Sequence, residues 1–312
     1  MAGATSSPVE RPAPPAVPPA QQAAPLQRLR AFLEMIRFPH TVFALPFALT
    51  GMLIARRALP DGRTLLWILA AMVAARTAAM TFNRLADHHL DARNPRTAGR
   101  ALPAGTLSRG FAAGALLLSV GLFLLAAGSL NRLCLLLAGP TLFVLLGYSL
   151  TKRFTALCHF ALGLALGISP VGAYLGVTGE FDAGFPAAAA LGLAVLFWLP
   201  GFDVIYACQD VESDRALGLH SLPARIGVAR SLRWAAAFHA VTVGCLFAFG
   251  VLAGLGAAYF VAAGIAAAIL LLEHRLVRPD DLARVNLAFF HLNAAVSVLV
   301  LAGTAADIFL RR

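Results

Sequence analysis

Charge is what this chain has least of. Asp, Glu, Lys and Arg make up 13% of its 312 residues, about half the share found in ordinary soluble domains. The acidic residues are the scarcer sign, 15 against 25 Lys and Arg. Six stretches, 110–131, 133–151, 154–179, 183–202, 234–272 and 285–306, contain none of the four. A soluble core does not require uninterrupted apolar runs of that length, whereas a helix crossing a bilayer needs about 20 such residues. Alternating ten-residue segments, the signature of a membrane β-barrel, are missing as well. Cysteine is also sparse. Cys134, Cys158, Cys208 and Cys245 are scattered without metal-like spacing and read as small apolar packing residues. These absences leave one class, an all-α integral membrane protein.

About nine transmembrane helices are expected, over 39–56, 64–82, 110–130, 133–150, 156–177, 185–206, 230–250, 254–272 and 286–308. The run 234–272 is too long for one crossing, and Gly250, Gly254 and Gly256 mark its turn. The second span is the least regular, because Arg76 and Asn83 interrupt it. Abundant Gly, Ala and Ser fit closely packed membrane helices. Residues 1–27, including "RPAPPAVPPAQQAAP", have no apolar core of the signal-peptide kind and read as a disordered tail before a transmembrane domain spanning 28–312.

The net charge of +10 invites a nucleic-acid partner, but its distribution argues otherwise. With the N-terminus in the cytoplasm, the tail and the even-numbered loops hold 18 of the 25 basic residues. That is the bias by which cytoplasmic loops of membrane proteins carry Lys and Arg. The charge therefore reports topology and a lipid-bilayer setting, with no nucleic acid and no obligate protein partner evident.

Against this background the carboxylates stand out. "NRLADHHLD" carries Asp87 and Asp91 four apart, just after the second span. "DVIYACQDVESD" repeats the spacing with Asp210 and Asp214 after the sixth span, with Asp203 earlier and Glu212 between the pair. Like charges at that spacing repel on a helix, and four converging carboxylates need a cation to neutralise them. Oxygen ligands without sulfur favour a hard ion. Mg2+ in particular takes one or two carboxylates and leaves positions for substrate phosphates. A third loop of the same side, "YSLTKR", offers Lys152 and Arg153 as contacts for a diphosphate, with Arg84 as a further candidate. Asp203 lies nearer the membrane, where an ionisable group is a functional candidate by default. His88 and His89 read as interfacial, and His40, His159, His239 and His291 as packing or interhelical hydrogen-bonding residues.

These elements carry a resemblance. "NRLADHHLD" is similar to the NRxxDxxxD motif of the UbiA-type membrane prenyltransferases. "DVIYACQDVESD" resembles their second DxxxD motif with its preceding Asp and Tyr-Ala, and "YSLTKR" resembles their basic loop. In order and spacing the likeness covers nearly everything after residue 30. "RFPHTVFALPFAL" and "CQDVESDRALGLHSLPARIG" look most similar to 4-hydroxybenzoate polyprenyltransferase-like proteins. The His-Ser-Leu-Pro after the second motif resembles a subgroup associated with menaquinone made through futalosine, which implies a dihydroxynaphthoate acceptor instead.

The resemblance implies a UbiA-type helical bundle that transfers a polyprenyl group from polyprenyl diphosphate to an aromatic acceptor, within quinone biosynthesis. It implies an inner-membrane enzyme with a cytoplasmic site. Asn83, Asp87, Asp91, Asp210 and Asp214 would bind Mg2+, the four aspartates being the catalytic set. Arg84, Lys152 and Arg153 would bind diphosphate, and Arg37, Asp203 and Tyr206 would serve the acceptor. A transporter using the carboxylates as an ion or organic-anion site is the reading from another class. Transporters usually place such groups at the bilayer midplane on broken helices within inverted repeats, and both pairs here fall at one mouth.

Overall fold

The computed structural model describes residues 25–36, 43–282, 284–285 and 288–310. The expected tail falls outside these except for residues 25–27, which open a helix, and Arg37 falls outside them as well. Helices account for nearly all of the described chain. They are α1 (Pro25–Met35), α2 (Leu45–Arg56), α3 (Gly62–Ala86), α4 (His88–Arg93), α5 (Arg109–Leu130), α6 (Arg132–Thr151), α7 (Cys158–Thr178), α8 (Phe185–Ala207), α9 (Val211–Ala216), α10 (Leu222–Ile226), α11 (Val228–Leu252) and α12 (Ala257–Leu276). A π-helical turn, Ala288–Leu292, leads into α13 (Asn293–Leu310). Among the described residues there is no β-ladder, only one isolated bridge between Arg278 and Asp281.

Eight of these helices are long and apolar enough to cross a membrane. The remaining expected span, 39–56, is represented by α2, which has 12 residues in the described part. The irregular second span is in fact continuous through 25 residues. Arg76 and Asn83 are accommodated there because both line an internal cavity. The expected glycine turn forms where the pattern put it. Gly254 takes a positive φ of 60°, and the Leu255 amide closes onto the Gly250 carbonyl at 2.9 Å, the kind of helix ending that favours glycine.

Helix α8 is the axis of the bundle. Its span is 72% buried, against at most 44% for any other, and it packs against α7 on one side and α11 on the other. Trp198, Leu191 and Val195 of α8 anchor a core shared with Phe47 of α2, Phe249 of α11, Tyr259 of α12 and Val300 of α13. Helices α7 and α8 approach until only hydrogen fits between them. A Cβ on Gly163 would collide with the Leu196 carbonyl oxygen. Pro200, four residues on, has no N–H to offer that carbonyl. Such contacts between small residues drive packing where lipid removes the hydrophobic incentive.

Side-chain caps fix several helix ends. Ser108 accepts from the Phe111 amide at 3.1 Å to start α5. Asn131 caps α6 through the Cys134 amide at 2.8 Å and donates to the Leu175 carbonyl of α7 at 2.8 Å, locking two spans together. Ser221 caps α10 through the Ala224 amide at 3.3 Å.

Candidate active site

Both acidic pairs straddle a break in their helix. Helix α3 ends at Ala86, Asp87 leaves helical geometry (φ −89°, ψ 5°), and the six-residue α4 resumes with Asp91 in its first turn. The second motif repeats the plan. After α8 comes a 3-10 turn, Cys208–Asp210, and then the six-residue α9 with Asp214 in its first turn. The Asp91 amide still bonds to the Asp87 carbonyl at 2.7 Å, so the pair stays on one face across the break.

The two motifs meet at one end of a cavity of about 480 Å³. Asn83, Asp87, Asp91, Asp203, Tyr206, Asp210 and Asp214 all line it, together with Arg84 and Lys152. Below them the walls are apolar, with Met72, Leu130, Leu137, Leu166 and Phe202 among the lining residues. The two pairs thus line one cavity. Arg153 does not line the cavity. It reaches Asp87 from behind, with Nη2 donating to the Ala86 carbonyl at 2.6 Å and lying 3.3 Å from Asp87 Oδ1.

Every carboxylate of the first pair is met by cations. Asp87 is 2% exposed and pairs with Lys152 Nζ at 2.8 Å, while Asn83 Nδ2 donates to its Oδ2 at 3.2 Å. Asp91 takes Arg100 Nη1 at 2.7 Å and stands 3.7 Å from Arg84 Nη1. Arg84 Nε also donates to the Met35 carbonyl of α1 at 3.3 Å. The negative charge of the pair is thus balanced within the site.

The loop after α4 crosses to the second motif. Arg96 grips Asp210 with two bonds, Nε to Oδ1 at 2.8 Å and Nη2 to Oδ2 at 2.6 Å. Its Nη1 donates to the Tyr206 hydroxyl at 3.1 Å. Burial is the largest single influence and works against the guanidinium charge, but the bonds to Asp210 together with the attraction of Asp210, Tyr206 and Asp91 offset it, and the Arg96 pKa rises above its ordinary value. Meanwhile the His220 amide donates to the Lys152 carbonyl at 2.7 Å, tying the loop beyond Asp214 to the basic loop.

Arg96, Arg100 and His159 were not singled out by the sequence as site residues. The arginines lie in "NPRTAGR", directly after the first motif, where they are also the positive charges expected of a cytoplasmic loop. His159 reads from sequence as an isolated histidine. Its ring is buried behind the cavity wall, with Nδ1 2.7 Å from Asp203 Oδ2. The sequence does not assign His88, His89, Cys134 or Glu212 to the site. Of these only Cys134 lines the cavity, near the start of α6 and so at the end away from Lys152.

The donor set at the motif end is oxygen throughout, which suits a hard cation and not a soft one. Among the described residues, no three His, Cys, Asp or Glu side chains converge closely enough to hold an ion in this conformation. Lys152, Arg100 and Arg96 are instead ion-paired with Asp87, Asp91 and Asp210.

A model of the UbiA prenyltransferase family matches residues 44–295. The chain belongs to that family. It is 31% identical over 291 residues to the 4-hydroxybenzoate octaprenyltransferase of Nitrosospira multiformis, covering 91% of this chain and 98% of that one. Among solved structures, the apo form of a UbiA homologue from Aeropyrum pernix K1 superposes with a TM-score of 0.79 at 33% identity, covering 87% of this chain and 98% of that one. A UbiA homologue from Archaeoglobus fulgidus, bound to DMAPP and Mg2+, shares the fold with a TM-score of 0.65 at 19% identity, covering 86% and 99%. This chain is accordingly a membrane prenyltransferase of the UbiA type, and both the resemblance and the helical-bundle expectation are borne out.

Proposed function

We propose that this prenyltransferase transfers a polyprenyl group from polyprenyl diphosphate to the ring of an aromatic acid of the 4-hydroxybenzoate type, in quinone biosynthesis. The observation that carries the reading is the cavity itself. One end is lined by two acidic motifs with Lys152, Arg84, Arg96 and Arg100, and the remainder by mainly apolar helix walls that include Arg76. That division suits a ligand with a charged head and a hydrocarbon tail. The Nitrosospira relative, matched over almost its whole length, supports the hydroxybenzoate acceptor.

Asn83, Asp87, Asp91, Asp210 and Asp214 would hold Mg2+, which supplies Lewis-acid charge for the departing diphosphate. The protein's own part is then electrostatic and steric. Lys152, Arg84, Arg96 and Arg100 release carboxylates in exchange for phosphate oxygens and stabilise the charge that develops on the leaving group. Arg153 holds the break at Asp87 through the Ala86 carbonyl. The donor's C–O bond cleaves towards an allylic carbocation, and the apolar walls exclude the water that would quench it. Asp203 and Tyr206 face the same space from α8 and serve the acceptor. Arg37, outside the described residues, is proposed as a contact for the acceptor carboxylate. The motif end faces the cytoplasm of a bacterial-type inner membrane, in keeping with its share of Lys and Arg.

The test is a competition assay. Purified enzyme in lipid receives polyprenyl diphosphate, Mg2+ and an equimolar mixture of 4-hydroxybenzoate and the dihydroxynaphthoate of the futalosine route. Prenylated hydroxybenzoate as the main product supports the reading. Prenylated naphthoate as the main product moves the enzyme to menaquinone synthesis.

A further inference from the structure

We propose that His159 is a positioning residue for proton removal from the acceptor, holding Asp203 oriented and charged at the cavity wall. This rests on the reading that the acceptor is a phenolic acid.

Asp203 differs from its neighbours in the cavity. Asp87, Asp91 and Asp210 are each bridged by Lys or Arg side chains. The bridging partner of Asp203 is instead the His159 ring, with Nδ1 2.7 Å from Oδ2. His159 is 4% exposed and stands behind the aspartate, outside the cavity lining. The tautomer follows from its other contact. The Leu222 amide donates to His159 Nε2 at 3.2 Å, and a ring nitrogen that accepts a hydrogen bond carries no proton. The ring proton therefore sits on Nδ1 and points at Asp203. A neutral imidazole donates without cancelling the carboxylate's charge, so Oδ1 is left to the cavity as an anionic acceptor.

The placement matches the chemistry. Asp203 lies on α8 and Asp210 ends the 3-10 turn that follows it, seven residues on, about 10 Å along a helical path, which leaves room for a ring between Asp203 and the diphosphate end. The phenolic O–H bond breaks, and its proton goes to Asp203 Oδ1. The freed electron pair feeds into the ring, and the ortho carbon forms the new C–C bond with the allylic carbon as the C–O pair departs on diphosphate. The ortho carbon then gives up its own proton to the diphosphate. The ring oxygen recovers the proton from Asp203, and the carboxylate is regenerated for the next turnover. Leu222 is the first residue of α10, so the loop beyond the second acidic motif holds the histidine that holds the base.

The test uses the full-length enzyme in lipid, with His159→Leu, His159→Gln, Asp203→Asn and the His159→Leu/Asp203→Asn double variant. Each is assayed with 4-hydroxybenzoate and with its 3-fluoro analogue, whose phenol is more acidic. Gln keeps both contacts, one donor towards Asp203 and one acceptor for Leu222. His159→Leu should lower kcat about tenfold to a hundredfold, at the low end of what a positioned base contributes, with KM for both substrates within about twofold. His159→Gln should restore kcat to within about threefold. The loss in His159→Leu should shrink on the fluorinated acceptor, and the double variant should be no slower than Asp203→Asn, as expected for residues acting as a unit. Equal losses on both acceptors, or additive losses in the double variant, overturn the proposal. Normal kcat in Asp203→Asn overturns it however His159→Leu folds. Wild-type enzyme that transfers to neither acid overturns the acceptor reading beneath it.

Discussion

Arg96 and Asp210 join the two acidic motifs across the mouth of the cavity, through paired bonds of 2.8 and 2.6 Å. The contact links residues 114 positions apart in sequence, and Arg96 also lies over the Tyr206 ring at 5.5 Å. Replacing Arg96 by Gln removes the fork and a cation that the leaving diphosphate would use. A charge-assisted bond of this type is worth about 1.5–3 kcal/mol, so kcat should fall roughly tenfold to a hundredfold. Steady-state kinetics on the lipid-reconstituted variant checks this. An unchanged kcat would leave Arg96 as a loop fastener only.

The basic loop divides into two roles. Lys152 lines the cavity and Arg153 does not. Lys152→Gln should therefore raise the KM for the diphosphate donor and lower kcat. Arg153→Gln should act mainly through the helix break at Asp87, lowering thermal stability while leaving donor KM within about threefold, since Arg153 stands outside the cavity lining. Comparing donor KM with the melting temperature for each variant separates them. The same KM rise in both would contradict the division.

Gly163 is predicted to be intolerant of any side chain, because its missing Cβ is where the Leu196 carbonyl of α8 lies. Gly163→Leu should push α7 away from α8, the helix that carries Asp203 and Tyr206. Overpacking of this kind typically costs about 1–3 kcal/mol. A thermal-unfolding series in detergent should show a lower midpoint than wild type, and an unchanged midpoint would mean that the helices are free to separate.

Much of this architecture was legible in the sequence, for identifiable reasons. Charge-free runs of twenty residues have few solutions other than membrane helices, and two DxxxD pairs in a chain so poor in carboxylates could hardly be incidental. The breaks at Asp87 and Asp210 were not legible, because local spacing is the same whether a helix continues or restarts. Arg96 and Arg100 were hidden by their double meaning, since an arginine after a span is also what topology alone requires. His159 was hidden differently. Its partners, Asp203 and Leu222, lie 44 and 63 residues away, and only packing of α7 on α8 brings them together. Arg76 looked like a flaw in the second span, and the cavity it lines accounts for it.

Topology makes a prediction independent of activity. Asn94→Cys, in the loop after α4, and Gly218→Cys, after α9, should both react with an impermeant thiol reagent applied from the cytoplasmic side. Phe181→Cys, between α7 and α8, should react only from the opposite side. The native cysteines are first replaced by Ser or Ala. Labelling of positions 94 and 218 from opposite faces would separate the two motifs and dissolve the shared site.

The central claim is that the two acidic motifs act together on one magnesium-bound diphosphate. Its most direct test is prenyl transfer to 4-hydroxybenzoate by wild type, Asp87→Ala, Asp210→Ala and the double variant, each reconstituted in lipid with Mg2+ or with EDTA. Asp87 and Asp210 belong to different motifs, and each sits at the break of its own helix. Wild type should be active only with Mg2+, and either single variant should lose most transfer while remaining folded and inserted. The double variant should be little worse than the singles. Robust transfer by the double variant, or full wild-type activity in EDTA, would contradict it.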